Sequence, residues 1–219
     1  MARGLAFQED GFYHVYNRGT ERREIFTCEA DYDRFVSLLY LANSKKSLHF
    51  QTLRGSTSKD LVQIEREERL VDIAAYCLMP NHFHLLLHEA KQGGISMFMQ
   101  KLSTSYTMYF NTRYERDGAL FQGRFKAQDA NDDRYLKYLI AYIHLNPVKL
   151  IEPKWKEFGV KNVRNVHVFL DKYPYSSYLD YCGIERPERY IIETNVLPDY
   201  FETAASFRSN MLEWIGYVE

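Results

Sequence analysis

Cysteine is scarce in this 219-residue chain: Cys28, Cys77 and Cys182 are odd in number, far apart and contain no C-x-x-C pair. That pattern argues against a disulfide framework or a cysteine zinc site, and it suits a reducing cytoplasm. Long apolar runs are missing too. None approaches the ~18 residues that suggest a membrane span. The opening "MARGLAFQEDGFYHVYNRG" breaks into charge and glycine at once, so no secretory leader is expected. Net charge is small, −1 at pH 7, which excludes a generic polycation that binds nucleic acid through its global field.

What is present is aromatic: 18 Tyr and 14 Phe, many potential stacking faces for unpaired bases, although core packing is the commoner role of any single ring. Charge is also uneven. Residues 101–161 hold eleven Lys/Arg against seven Asp/Glu, whereas 185–219 hold three against seven. A nucleic-acid partner would therefore meet a local patch.

Along the chain, "GFYHVYNRG" (11–19) alternates and predicts a first strand. Phe35, Leu38, Leu39 and Ala42 form a helical stripe within 28–46. "LVDIAAYCLM" and "HFHLLLH" predict paired strands meeting at a Pro80-Asn81 turn. A long helix is expected over 93–116, a loop and short strand over 118–130, and a second strong helix over 132–149. The order β-α-β-β-α-β-α predicts an α+β fold, a ferredoxin-like or RRM-like antiparallel sheet with helices on one face. One domain is expected over 1–150. The segment 151–219, including its acidic tail, is expected as an irregular extension packed on that domain. The charged stretch 51–70 looks like an insertion, and no repeat is present.

Two groups of residues carry chemistry. In a strand, His82 and His84 project from one face, where two imidazoles can take adjacent positions on a divalent metal. Chance H-x-H pairs are also common. His88 shares the face but lies further along and is expected to be no ligand. In "YLKYLIAYIHLNPVK", Tyr142 and Asn146 are four residues apart on one helix face. An amide oxygen suits Mg²⁺ or Mn²⁺. Equally, Tyr142 can be core and Asn146 a helix cap before Pro147. His144 points away from both.

"YCLMPNHFHLLL" followed some sixty residues later by "YIHLNPVK" resembles the single-tyrosine transposases of the HUH endonuclease superfamily, most of all their REP-associated branch. "LFQGRFKA" and "YPYSSY" match phrases of that branch, and the resemblance spans about residues 10–182. It implies a metal, Mg²⁺ or Mn²⁺, held by His82, His84 and Asn146, and a nucleophile at Tyr142, with Tyr135 and Tyr138 as rivals. The implied reaction nicks and rejoins single-stranded DNA near hairpins through a 5′-phosphotyrosine. Arg124 and Lys126 are the basic residues expected against DNA, with Arg18 a further candidate. Tyr173, Tyr175 and Tyr178 are expected to pin the tail rather than stack on bases. A monomer is expected, a dimer being the alternative seen in insertion-sequence relatives. Two other readings remain: a hairpin-binding protein without catalysis, and a metallohydrolase, for which no further acidic ligand stands at a suitable spacing.

Overall fold

Strand β1 (Phe12–Arg18), helix α1 (Glu29–Leu41), strands β2 (Asp72–Met79) and β3 (His82–His88), helix α2 (Gly94–Arg113), strand β4 (Lys126–Asp129) and helix α3 (Asp133–Leu145) follow one another in the expected order. This computed structural model describes residues 6–46, 64 and 66–216, so most of the charged stretch 51–70 lies outside the described residues. The four strands form one antiparallel sheet in the order β2-β3-β1-β4. The β2–β3 hairpin turns at Pro80-Asn81, and the Pro80 carbonyl accepts from the Ile25 N–H (2.8 Å) and the Phe26 N–H (3.1 Å).

Period-two alternation divides the sheet into two faces. Tyr13 and Val15 of β1, Tyr76 and Leu78 of β2, and Phe83, Leu85 and Leu87 of β3 pack against α1 and α2. Ala75, Cys77 and Met79 of β2, with Leu86 of β3, pack instead against Leu136, Leu139, Ile140 and Ile143 of α3. The α+β antiparallel sheet is as the sequence predicts, but the placement of all helices on one face is corrected. The physical reason lies in β2 and β3, whose apolar side chains point both ways and require cover on both sides. Helix α3 starts where the Asp132 side chain accepts from the Tyr135 N–H (2.8 Å), and Pro147 ends it in a short 3-10 turn. Helix α2 is capped by the buried Glu89 carboxylate, which accepts from the Gly93 N–H (2.6 Å) and the Ile95 N–H (2.7 Å).

Beyond residue 151 the chain is more regular than its sequence suggests. It forms α4 (Trp155–Phe158), α5 (Val163–Leu170), α6 (Tyr178–Tyr181) and α7 (Ala204–Gly216), with 3-10 turns between. Val166 and Leu170 of α5, and Phe207, Met211 and Ile215 of α7, complete the core beneath α3. Between α5 and α6 the chain runs along the outer edge of β2: the Leu78 N–H donates to the Tyr175 carbonyl (2.9 Å), and the Ser177 N–H to the Tyr76 carbonyl (3.0 Å). The extension thereby covers a sheet edge that would otherwise invite foreign strands. Tyr173 pins it further, its hydroxyl donating to the Leu78 carbonyl (2.5 Å), and Tyr175 stacks on Tyr32 with ring centroids 4.0 Å apart.

Candidate functional site

The site lies on the sheet face that α3 covers. Strand alternation puts His82 and His84 there, and the β1 register sets Arg18 opposite His82 and Tyr16 opposite His84. His14, two residues before Tyr16, shares that side. Across it, the ring of Tyr142 on α3 stands edge-on to His84 and His14, with centroids 5.5 Å and 5.9 Å away. Of the rival tyrosines, Tyr138 packs 5.1 Å from Trp214 and 6.0 Å from Tyr142, and the Tyr135 hydroxyl donates to Gln128 Oε1 (3.4 Å).

Each histidine of the pair is held through Nδ1. Asn81 Oδ1 lies 2.6 Å from His82 Nδ1, and the Asn81 amide is oriented because its Nδ2 donates to the Arg22 carbonyl (3.2 Å). The proton of His82 therefore sits on Nδ1, leaving Nε2 with its lone pair. His84 Nδ1 lies 2.9 Å from His14 Nε2. Asn146 is fully buried, its Nδ2 donating to the Tyr142 carbonyl (2.9 Å), while its Oδ1 has no hydrogen-bond partner among the described residues. A buried amide oxygen without a partner is costly and calls for one. Among the described residues no group of three or more His, Cys, Asp or Glu side chains gathers as a metal site. The ligands that the sequence resemblance implies, two imidazoles and an amide, would not form such a group.

Electrostatics keep the imidazoles neutral. Burial lowers the His82 pKa to about 4, helped by Lys149 and Arg18. Burial also holds His84 well below its usual value, with His14, His82, Lys149 and Lys156 adding to the effect. Neutral imidazole is the metal-binding form. Burial raises the Tyr142 phenol, and the Asn146 side chain beside it opposes that rise. Lys156 sits over the Tyr142 ring, its Nζ 3.9 Å from the centroid.

Of the basic residues expected against DNA, Arg18 is exposed beside His82 and bonds Gln122. Arg124 and Lys126 are exposed and line a groove of about 730 Å³ together with Tyr16, Ser96 and Gln128. Tyr16 connects this groove to the histidines, its ring 4.9 Å from His14. His88 lies at the far end of β3, with its Nδ1 3.1 Å from Asp72 Oδ2. His144 is buried away from the site, with its Nε2 2.7 Å from Ser177 Oγ. Sequence reasoning missed His14, Asn81, Lys149 and Lys156. The alternation of "YHVY" contains the signal for His14, but its partner across the sheet depends on register. Lys156 belongs to a segment with no local motif.

No helix among the described residues is long and apolar enough to cross a membrane. A comparison with curated proteins finds no match. Among solved structures the chain is similar to a REP-associated tyrosine transposase bound to a REP hairpin, at 15% identity and a TM-score of 0.51, covering 94% of this chain and 95% of the other. At that identity the likeness concerns the fold. A family model, the IS200-like transposases, matches residues 8–146, a span that runs from just before β1 to Asn146. The match covers well over half of the sequence and takes in His82, His84, Tyr142 and Asn146, and the chain belongs to the IS200-like transposase family.

Proposed function

We propose that the protein nicks and rejoins single-stranded DNA beside hairpins, in a divalent-metal-dependent transesterification with Tyr142 as nucleophile. The observation that carries this reading is the meeting, within one chain, of the Tyr142 ring and His84, with Asn146 presenting an unpartnered buried oxygen one turn along. The donor set fits a divalent ion: His82 and His84 through Nε2, because their Nδ1 atoms are engaged, and Asn146 through Oδ1. Mg²⁺ or Mn²⁺ held there supplies a Lewis acid toward a non-bridging oxygen of the scissile phosphate.

The chain's own part is positioning and charge. The Tyr142 oxygen attacks phosphorus and forms a new P–O bond. The bond to the 3′-oxygen breaks, the phenolic proton passes to water, and the departing 3′-oxygen takes a proton in return. A diester replaces a diester, so the reverse step rejoins DNA without ATP. Lys149, Lys156 and Arg18 set positive charge around the histidines, where a phosphodiester must lie. Arg124 and Lys126 offer the adjacent groove to the phosphates of a hairpin, the ligand of the similar solved structure. All four central side chains come from one chain, so a monomer suffices.

The test is incubation with a labelled single-stranded hairpin pool and Mn²⁺, run on a denaturing gel beside Tyr142→Phe. A protein-linked band that vanishes in the variant is expected. A band that persists would move the nucleophile to Tyr138 or Tyr135. A native complex without any covalent band would replace this reading with hairpin binding alone.

A further inference from the structure

Tyr142 forms one wall of a cavity of about 130 Å³, completed by Tyr138, Leu145, Trp155, Lys156 and Trp214. We propose that this cavity seats one unpaired nucleobase flanking the scissile phosphate, with Lys156 against that nucleotide's phosphate. The inference rests on the transesterification reading above.

Size, chemistry and place all point to this occupant. Apolar cavities of about 150 Å³ admit a benzene ring, whereas sites for larger ligands start near 300 Å³. The space here suits one flat ring. Its walls are aromatic, the rings of Tyr138 and Trp214 meeting at 5.1 Å with a 64° interplanar angle. Lys156 is the cation of this lining: its Nζ stands 3.9 Å from the Tyr142 ring centroid. A flat apolar ring tethered to an anion is the chemistry of a nucleotide. A nucleophile within reach of phosphorus places the neighbouring base within one nucleotide of its own ring, and Tyr142 is part of the wall. A base-paired nucleotide hides its edges and stacks on its neighbours, so the occupant is an unpaired one.

Trp155, Lys156 and Trp214 all lie beyond residue 146, where the family match ends. The extension therefore does more than cover the sheet edge. It builds one side of the substrate site and gives the otherwise unassigned helix α7 a direct part in seating DNA.

The experiment uses the full chain and a hairpin oligonucleotide that the wild type cleaves, with an abasic site on either side of the scissile phosphate in turn. Single-turnover formation of the Tyr142–DNA adduct is the first readout. At one of the two positions, loss of the base should slow the wild type about 10-fold or more, within the five- to 150-fold that stacking on an aromatic ring is worth. Trp214→Ala should slow the intact DNA comparably and lose little more with the abasic DNA, since both changes remove one interaction. As a readout independent of the chemistry, 2-aminopurine at that position should be quenched on binding to the wild type and less so in Trp214→Ala. Lys156→Met keeps an unbranched stem over Tyr142 and removes the charge. It should slow adduct formation on intact DNA, and Lys156→Arg should recover most of the rate. Abasic DNA reacting at the intact rate at both positions overturns the pocket, as does a Lys156→Met rate equal to the wild type for the phosphate contact. In either case a Tyr142 adduct on intact DNA leaves the transesterification standing. Absence of that adduct removes the transesterification itself.

Discussion

His14 Nε2 lies 2.9 Å from His84 Nδ1, so a residue of the first strand holds one of the two histidines of the H-x-H pair. For His84 to offer Nε2 to a metal, its proton must sit on Nδ1 and His14 must accept it. His14 then carries its own proton on Nδ1, a buried atom without a hydrogen-bond partner among the described residues. Outer partners of this kind typically change metal affinity 10- to 100-fold. His14→Ala should weaken Mn²⁺ binding by about that factor in calorimetry or EPR titration, with His14→Gln intermediate because its amide oxygen also accepts. Equal Mn²⁺ affinity in His14→Ala and the wild type would show that the contact does not orient the ligand.

Asn146 provides a second test, because its two amide atoms have separate duties. Nδ2 is engaged with the Tyr142 carbonyl, whereas Oδ1 is buried without a partner. Asn146→Ala should abolish most adduct formation. Asn146→Asp keeps an oxygen donor and should retain metal-dependent activity. Chelation with EDTA should remove the covalent product from the wild type yet leave hairpin binding nearly intact, since the groove residues Arg124 and Lys126 do not involve the metal. If EDTA leaves the covalent band unchanged, the metal has no part in the reaction.

Acid should destabilise this protein through its histidines. His144 is packed against Tyr181 and Phe207, with ring centroids 4.8 Å and 5.3 Å away, and burial lowers its pKa to about 3. In the unfolded chain the value returns to about 6.5. Above 6.5 both states are neutral and the stabilisation is complete. As pH falls toward 3 the unfolded chain binds a proton that the folded one refuses, so stability drops by up to about 1.4 kcal/mol per pH unit for this group. His14 and His82, each near 4 through burial, act in the same direction. Urea titrations between about pH 7 and pH 5 should show this slope, and His144→Gln should reduce it by about one proton's worth. An unchanged slope in the variant would mean that His144 does not stay neutral in the fold.

The parts of the site visible in the sequence are those with local periodicity. His82 and His84 alternate on a strand, and Tyr142 and Asn146 recur one turn apart on a helix, so each pair's shared face follows from spacing alone. The partners that support them are non-local. His14 meets His84 only because β1 pairs with β3 in one register, and a one-residue slip would turn it to the other face. Lys156 reaches Tyr142 from a four-residue helix that no pattern announces. The same limit explains the faces of the sheet. Leu86, Cys77 and Met79 are apolar in sequence, but what covers them is a helix some fifty residues further on.

The extension shares a core with α3 and β2 of the first 150 residues. Arg186 fixes it there: its Nε donates to Asp180 Oδ1 (2.9 Å), its Nη1 to the Pro174 carbonyl (2.7 Å) and its Nη2 to the Tyr76 hydroxyl (3.3 Å) on β2. The Asp180 side chain is 0% exposed. Removing one partner of a buried ion pair strands the other and typically costs about 3–5 kcal/mol. Arg186→Met should therefore lower the urea midpoint sharply. Both tryptophans, Trp155 and Trp214, lie in the extension, so their fluorescence reports on it separately from far-UV circular dichroism, which sees every helix and strand. The two signals should stay coincident in wild type and variant, because residues 175–177 hydrogen-bond along β2 and α3 shares its core with α5 and α7. Fluorescence that changes at lower urea than the circular dichroism would instead mark the extension as a separately melting layer over an independent catalytic domain.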